Sequence, residues 1–423
     1  MHFTKFAQKF SEMKKSLFIT AFSVFTAFIS VAQEQTQKPK IEVKPYGYVA
    51  WETIFDTYKS VDTRDGELYF YPLKANIDAN GTDVNKKHQL QMLSLTTRLG
   101  LKISGPDVLG AKTSAMVETD FFATATEYTR LLRVRHAIMT LKWQHSELIM
   151  GHYWHPIIVN EVIPSTLAFG AGVPFHSLNR SPQIRFTYYP IEKVRLSATA
   201  LTQGYHKSMG PAEAQRNSGL PELMAQAAFV KNNSFIAGLS AGYKWLTPRL
   251  YITSSNTGTH KTVGQYLFSV FTAANLAKTN IKFETVYGEN PTHLLMIGGY
   301  GRVTETTADS DYDYANLRTL STWLDVDHKL GKWGIGVFAG YSKLLGSNKN
   351  YSTIASYHRN DDMNYVYRIS PRVSYKEENL VLGIEYMLTT AVYGKTFDAQ
   401  HKVTSSLDPV SNNRITISAK YSF

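Results

Sequence analysis

The chain has 423 residues, 13% of them aromatic, no cysteine and a formal net charge of +11. Without cysteine, an exported chain has neither disulfide staples nor thiolate metal sites. The basic residues are scattered rather than gathered in one patch, which argues against nucleic acid and for a preference for small acidic solutes.

In chain order, "MKKSLFITAFSVFTAFISVAQEQ" comes first. Lys14 and Lys15 precede an uncharged run from residue 17 to 31, which exits through Ser30, Val31 and Ala32. This predicts a secretory signal peptide over residues 1–32, with Met13 as a second possible start. The run is short of the roughly 20 residues a spanning helix needs, and the small-residue exit disfavours an uncleaved anchor. Residues 33–44 read as a short periplasmic leader. No later stretch of 18 uncharged apolar residues exists, so no helical span is expected.

From residue 45 onward the pattern is alternation. "PYGYVAWETIFDTY" opens it, and "LSLTTRLGLKIS" sets Leu93, Leu95, Thr97, Leu99, Leu101 and Ile103 against Ser94, Thr96, Arg98, Gly100, Lys102 and Ser104. "AKTSAMVETDFF" repeats it after the turn "GPDVLG". A period of two means a strand with one greasy and one wet face. Like faces recur near residues 131–143, 146–153, 183–190, 192–202, 223–231, 234–245, 265–276, 279–288, 318–328, 333–344, 363–375, 379–389 and 413–423. Tight polar turns such as "WQHS", "KNNS" and "HKLGK" alternate with longer Gly/Asn/Asp/Ser-rich loops; 124–130 is brief for a long slot. That predicts an all-β fold, a 16-stranded antiparallel transmembrane β-barrel over 45–423, with periplasmic turns and extracellular loops. "HLLMIGGYGRV" (293–303) is also strand-like, but a seventeenth strand would break the alternation, so it is assigned to a loop. "NRITISAKYSF" closes the cylinder against the first strand, because hydrocarbon tolerates no open sheet edge.

If apolar faces meet lipid, the wet faces line a lumen. They carry Arg98, Lys102, Arg133, Arg135, Arg185, Lys193, Arg195, Lys282, Arg368, Arg372 and Arg414, against Glu118, Asp120, Glu284, Asp325, Asp327 and Glu385. Arginine and lysine rings suit an anion pore. Arg133 and Arg135, about 7 Å apart on one strand face, suit a dianion; the alternative is that they pair with Glu118 and Asp120 and fix register. The segment 154–182 is too apolar to wave in water, and is expected to fold inward as a constriction carrying Tyr153, Trp154, His155, Phe169, Phe175 and His176, or else to meet a neighbouring subunit. His145, His152, His155 and His176 match no established metal spacing, and "DSDYDYAN" lacks the glycine and glutamate of a calcium loop, so neither metal nor cofactor is expected. No nucleophile-elbow or phosphate-cradling glycine motif occurs, and no enzyme is expected.

"SLTTRLGLKISGPDVLGAKTSAMVETDFF", "LLRVRHAIMTLKW" and "ELIMGHYWHP", with a fainter "YGEN" at 287–290, resemble the DcaP-like outer-membrane porins. The resemblance spans about residues 91 to 156. It implies a homotrimeric porin in the outer membrane of a Gram-negative bacterium, passing small anions such as dicarboxylates, with Arg98, Arg133 and Arg135 as pore arginines. A terminal aromatic, here Phe423, is the usual signal to the barrel-assembly machinery in this class. Two departures stand out: the chain lacks the long N-terminal coiled coil of some members, and "GHYWHP" replaces the commoner Gly-Gln-Thr-Trp. The expectation is therefore passive diffusion of small hydrophilic solutes, biased to anions, through a barrel bedded in outer-membrane lipid. The alternative is a non-conducting barrel with a structural or adhesive role.

Overall fold

The computed structural model describes residues 41–423 apart from 171, 233 and 304–310. The expected signal peptide and leader residues 33–40 lie outside the described residues. The leader was expected to run to residue 44, yet the first strand already begins at Glu42, which pairs with Ser104.

Sixteen antiparallel strands form the wall. They are β1 (Glu42–Asp56), β2 in two arms (Gln89–Leu93 and Arg98–Ser104), β3 (Lys112–Asp120), β4 (Arg133–Lys142), β5 (Ser146–Trp154) and β6 (Arg180–Ile191). Then come β7 (Val194–Leu201), β8 (Glu222–Lys231), β9 (Phe235–Leu246), β10 (Val263–Leu276), β11 (Thr279–Glu289) and β12 (Tyr314–Leu330). β13 (Trp333–Leu344), β14 (Met363–Glu377), β15 (Leu380–Phe397) and β16 (Val410–Ser422) complete the set. Each pairs with its neighbours in sequence, and β16 returns to β1 with Asp56 opposite Arg414 and Tyr48 opposite Ser422. Phe423 extends the seam by exchanging both backbone hydrogen bonds with Gly47, at 3.0 and 3.2 Å. No sheet edge faces lipid along the wall, as hydrocarbon requires.

Burial follows the predicted alternation. On β16, Ile415 and Ile417 are 40% and 44% exposed on the outer surface, whereas Arg414 and Thr416 are 1% exposed within. Glu118, Asp120, Arg133, Arg135, Glu284, Asp325, Arg368, Arg372 and Glu385 are likewise buried inside. The strand with the cleanest alternation is the one that breaks. Ser94 to Thr97 leave the ladder, and two hydroxyls there take partners on β1: Thr97 Oγ1 accepts from the Ala50 amide at 3.1 Å, and Thr96 Oγ1 donates to Glu52 at 3.2 Å.

The interior is not empty. Among the described residues at least three of the long loops fold inward, not just one. In the first, the hairpin Ser60–Thr63 with Leu68–Pro72 buries Phe70 and Tyr71. The third runs from 155 to 179. The sixth holds a 3₁₀ turn Pro291–Leu294 and a short strand Gly298–Arg302, which pairs with the start of β12 and with the seventh-loop strand Ser352–Arg359. Segment 293–303 therefore stays out of the wall, as parity required, but part of it forms a subsidiary sheet. Loop side chains and wall aromatics make one apolar core inside the barrel, with Phe70, Val173, Phe175, Ile297, Trp323 and Phe338 among its members.

The seam is fastened by a buried ion pair. Arg414 donates from Nε and Nη2 to the two Asp56 carboxylate oxygens at 2.8 Å each, and from Nη1 to the Gly66 carbonyl at 2.8 Å. Arg414→Ala leaves Asp56 unpaired and buried, and is expected to cost about 3–5 kcal/mol. Asp56→Leu with Arg414→Met should cost less than the single change, because no orphaned charge remains. Denaturant unfolding in detergent micelles measures both.

Candidate permeation site

The third loop crosses the lumen because the inner faces of the far wall hold it there. Ser165 N donates to Asp325 Oδ2 at 2.8 Å, and Leu167 and Ala168 amides reach the Glu385 carboxylate at 2.8 and 3.4 Å. Lys282 Nζ donates to the Ile163 carbonyl at 2.7 Å, Arg368 Nη1 to the Val173 carbonyl at 2.7 Å, and Ser321 Oγ to the Phe175 carbonyl at 3.0 Å. His176 Nδ1 lies 2.9 Å from Glu284 Oε2, which also accepts from Trp323 Nε1. Phe169 packs on Phe122 with ring centroids 4.1 Å apart, and Phe175 on Phe338. Irregular backbone at this depth is tolerable because side chains of the wall satisfy it.

Between this loop and the seam wall lies a cavity of about 550 Å³, lined among others by Tyr48, Glu52, Thr96, Arg98, Arg135, Ser165, Thr166, Arg180 and Lys420. Its four cations, Arg98, Arg135, Arg180 and Lys420, face one lining carboxylate, Glu52. Arg180 stacks on Trp154 with its guanidinium carbon 3.7 Å from the ring centre, and its Nε and Nη2 have no hydrogen-bond partner. Arg98 lies over the Tyr48 ring at 5.1 Å and 3.5 Å from Glu118. Behind Glu52, in the first loop, sits Glu67. Burial first, then the neighbouring Glu52 charge and the hydrogen bond between the two, push the Glu67 carboxyl well above the usual range.

The other expected lining residues are distributed differently. Arg133 makes a fork to Asp120 at 2.7 and 3.1 Å, and Arg135 bridges Glu118 and Asp120 at 2.7 Å each. The register-pairing alternative therefore describes Arg133 in full and Arg135 in part. Arg185 and Arg195 line a separate recess of about 130 Å³ under the third loop, where Arg185 donates to the Trp154 carbonyl and Arg195 pairs with Glu161. Arg368 is occupied by Thr389, Val173 and Phe70, and Arg372 by Asp325 and Asp327. Lys102 lies over the Tyr46 ring, and Lys193 sits in a short turn. Tyr153 and Trp154 end strand β5 rather than belonging to the loop, and Trp154 is the platform for Arg180. Of the acidic run at 309–316, Asp313 pairs with Lys261, Asp311 accepts from Thr259, and residues 309 and 310 lie outside the described residues.

Sequence reasoning missed Arg180, Glu52 and Lys420. Lys420 was legible as a polar even position of the last strand. Glu52 was not, because the inner face of β1 also carries Ala50 and Ile54. Arg180 hid at the end of a loop that alternation does not describe. The four histidines weighed together do not converge: His152 meets Tyr205, His176 meets Glu284, and His145 lies in a turn. His155 instead meets Glu222 and His293.

This architecture is that of an outer-membrane porin: a closed 16-strand barrel, apolar outside, with a loop crossing its lumen. No family model and no curated protein matches the chain. Among solved structures, the outer-membrane channel DcaP of Acinetobacter baumannii aligns with a TM-score of 0.65 at 16% identity, over 93% of this chain and all of that one. The anion-selective porin from Comamonas acidovorans aligns at 0.57 and 9% identity, over 91% of this chain and all of its own. The trimer form of OmpT from Vibrio cholerae aligns at 0.55 and 13%, over 90% and 99%. At these identities the likeness is one of fold, and it agrees with the DcaP-like resemblance of the sequence. The chain has the fold of the outer-membrane β-barrels.

Glu385→Ala removes the acceptor of two loop amides, at a cost of about 1–3 kcal/mol. The loop should swing more freely, so single-channel recordings are expected to show larger, noisier current steps. Glu385→Gln, which keeps one acceptor oxygen, should change them less.

Proposed function

We propose that the chain is a passive diffusion channel for small hydrophilic solutes, biased to anions. The observation that carries this reading is the cavity beside the third loop, where four cations face one carboxylate and Arg180 has two unpartnered N–H groups. Planar guanidiniums offer paired donors to carboxylates, so small dicarboxylates are the best-matched solutes. The DcaP channel and the anion-selective porin among the structural neighbours support it. Catalysis is not proposed: hydroxyls line the cavity at Thr96, Ser165, Thr166 and Ser418, but no histidine stands beside them to act as a base. A homotrimer is proposed by analogy with the trimeric neighbour. Reading of Phe423 by the barrel-assembly machinery is likewise proposed, and its 58% exposure beside Gly47 supports that reading.

One observation favours the non-conducting alternative: the apolar core that three loops build inside the barrel. Planar-bilayer recording separates the two readings. Under a KCl gradient the reversal potential should show anion preference. Arg180→Ala should weaken that preference a few-fold, the order expected for about 1 kcal/mol of lost attraction, and Glu52→Gln should strengthen it. Cation selectivity in the unmodified protein, or silence in well-folded preparations, would overturn the proposal.

A further inference from the structure

We propose that His155, Glu222 and His293 form a divalent-metal site of the zinc class that ties the third loop to the sixth and to the wall. The inference goes beyond permeation and does not rest on it. The three donors come from separate parts of the chain: the third loop, the first residue of β8, and the buried 3₁₀ turn of the sixth loop. Their side chains are at most 2% exposed. One ligand atom from each lies within 4.8 Å of the other two.

Of the two contacts to Glu222, that of His293 has the spacing a metal sets, and that of His155, a hydrogen bond here, is a little shorter. His155 Nε2 lies 3.1 Å from Glu222 Oε1, and His293 Nε2 lies 3.4 Å from Glu222 Oε2. Bonds of about 2.0–2.2 Å set neighbouring ligand atoms roughly 3.3–3.6 Å apart in a tetrahedral site. Two histidines and a glutamate are also an established zinc set that leaves a fourth position for water or another ligand. The second, independent observation is orphaned polarity: Glu222 Oε2 and His293 Nε2 face one another yet form no hydrogen bond, and neither has another hydrogen-bond partner. A metal-free hydrogen-bond relay would close that contact. A cation between the two atoms uses both.

Each ring has a second contact, at Nδ1, that metal binding must open. Coordination through both Nε2 atoms places each ring hydrogen on Nδ1. His293 Nδ1 lies 2.6 Å from Lys244 Nζ, whose other two neighbours are the Asn290 carbonyl at 2.9 Å and Ser208 Oγ at 3.2 Å. Coordination at Nε2 moves the ring hydrogen to Nδ1 and opens the contact with Lys244, which keeps its two oxygen acceptors. At His155 the contact that must open is the long one, 3.4 Å from the Ile157 amide to Nδ1. Because the ligands sit on segments far apart in sequence, the site is complete only when the loops have docked.

The test uses the full barrel in detergent, stripped with chelator, dialysed against zinc chloride and analysed for bound metal. One tightly held zinc per chain is expected, falling more than about tenfold in His155→Ala and in His293→Ala. Heat-modified gel mobility shows whether each variant still forms the barrel. Cobalt chloride supplies a second reading: the unmodified protein should give the intense visible bands of a four- or five-coordinate ion, and Glu222→Gln should lose them. Equal zinc in the unmodified and histidine variants, or only the faint spectrum of hydrated cobalt, would overturn the assignment.

Discussion

Every backbone N–H and C=O that meets hydrocarbon must find its partner in the protein, and the rest of this structure follows from that. A helix would satisfy the rule within itself, but no helix among the described residues is long and apolar enough to cross. Strands must share their ladder with neighbours, and the ladder must close. The bond pair between Phe423 and Gly47 and the register that sets Asp56 against Arg414 are the closure. Once it is made, side chains sort by parity alone, with Ile415 and Ile417 in lipid and Arg414 and Thr416 within.

Closure leaves a polar interior that must also be satisfied, and here the protein differs from an open pipe. Inner charges serve two ends. Asp325, Glu385, Lys282 and Arg368 hold the third loop by its backbone, while Asp120 and Glu118 hold Arg133 and Arg135. Arg135 also lines the cavity beside the seam with Arg98, Lys420 and Arg180, which lies on Trp154 with unpartnered N–H groups. In the proposed passage such a surplus would act on solutes more strongly than the same charges in bulk water. Rigidity of the loop and charge of the passage thus come from one set of inward positions.

The wall was legible in the sequence because strand parity is a local property. Alternation located all sixteen strands, and short connectors alternate with long ones as expected. It missed the break in the strand whose pattern was clearest, where the Thr96 and Thr97 hydroxyls bond to the Glu52 carboxylate and the Ala50 amide. The candidate site was legible only in part. Arg98 and Arg135 belong to strands and were found, but Arg368 and Arg372 are bound by groups that parity cannot reveal. The inward hairpin at 60–72 and the meeting of His155 with Glu222 and His293 join segments remote in sequence. No periodicity reports such contacts.

The central claim is that water and ions pass between the third loop and the seam wall. The absence of cysteine allows a direct measurement, because a single thiol placed at Ser418, on the lining of that cavity, is the protein's sole target for a thiol reagent. With Ser418→Cys in a planar bilayer, a negatively charged methanethiosulfonate should cut the current, and do so faster than its positively charged counterpart. An unchanged current from a cysteine that reacts once the protein is unfolded would contradict the account.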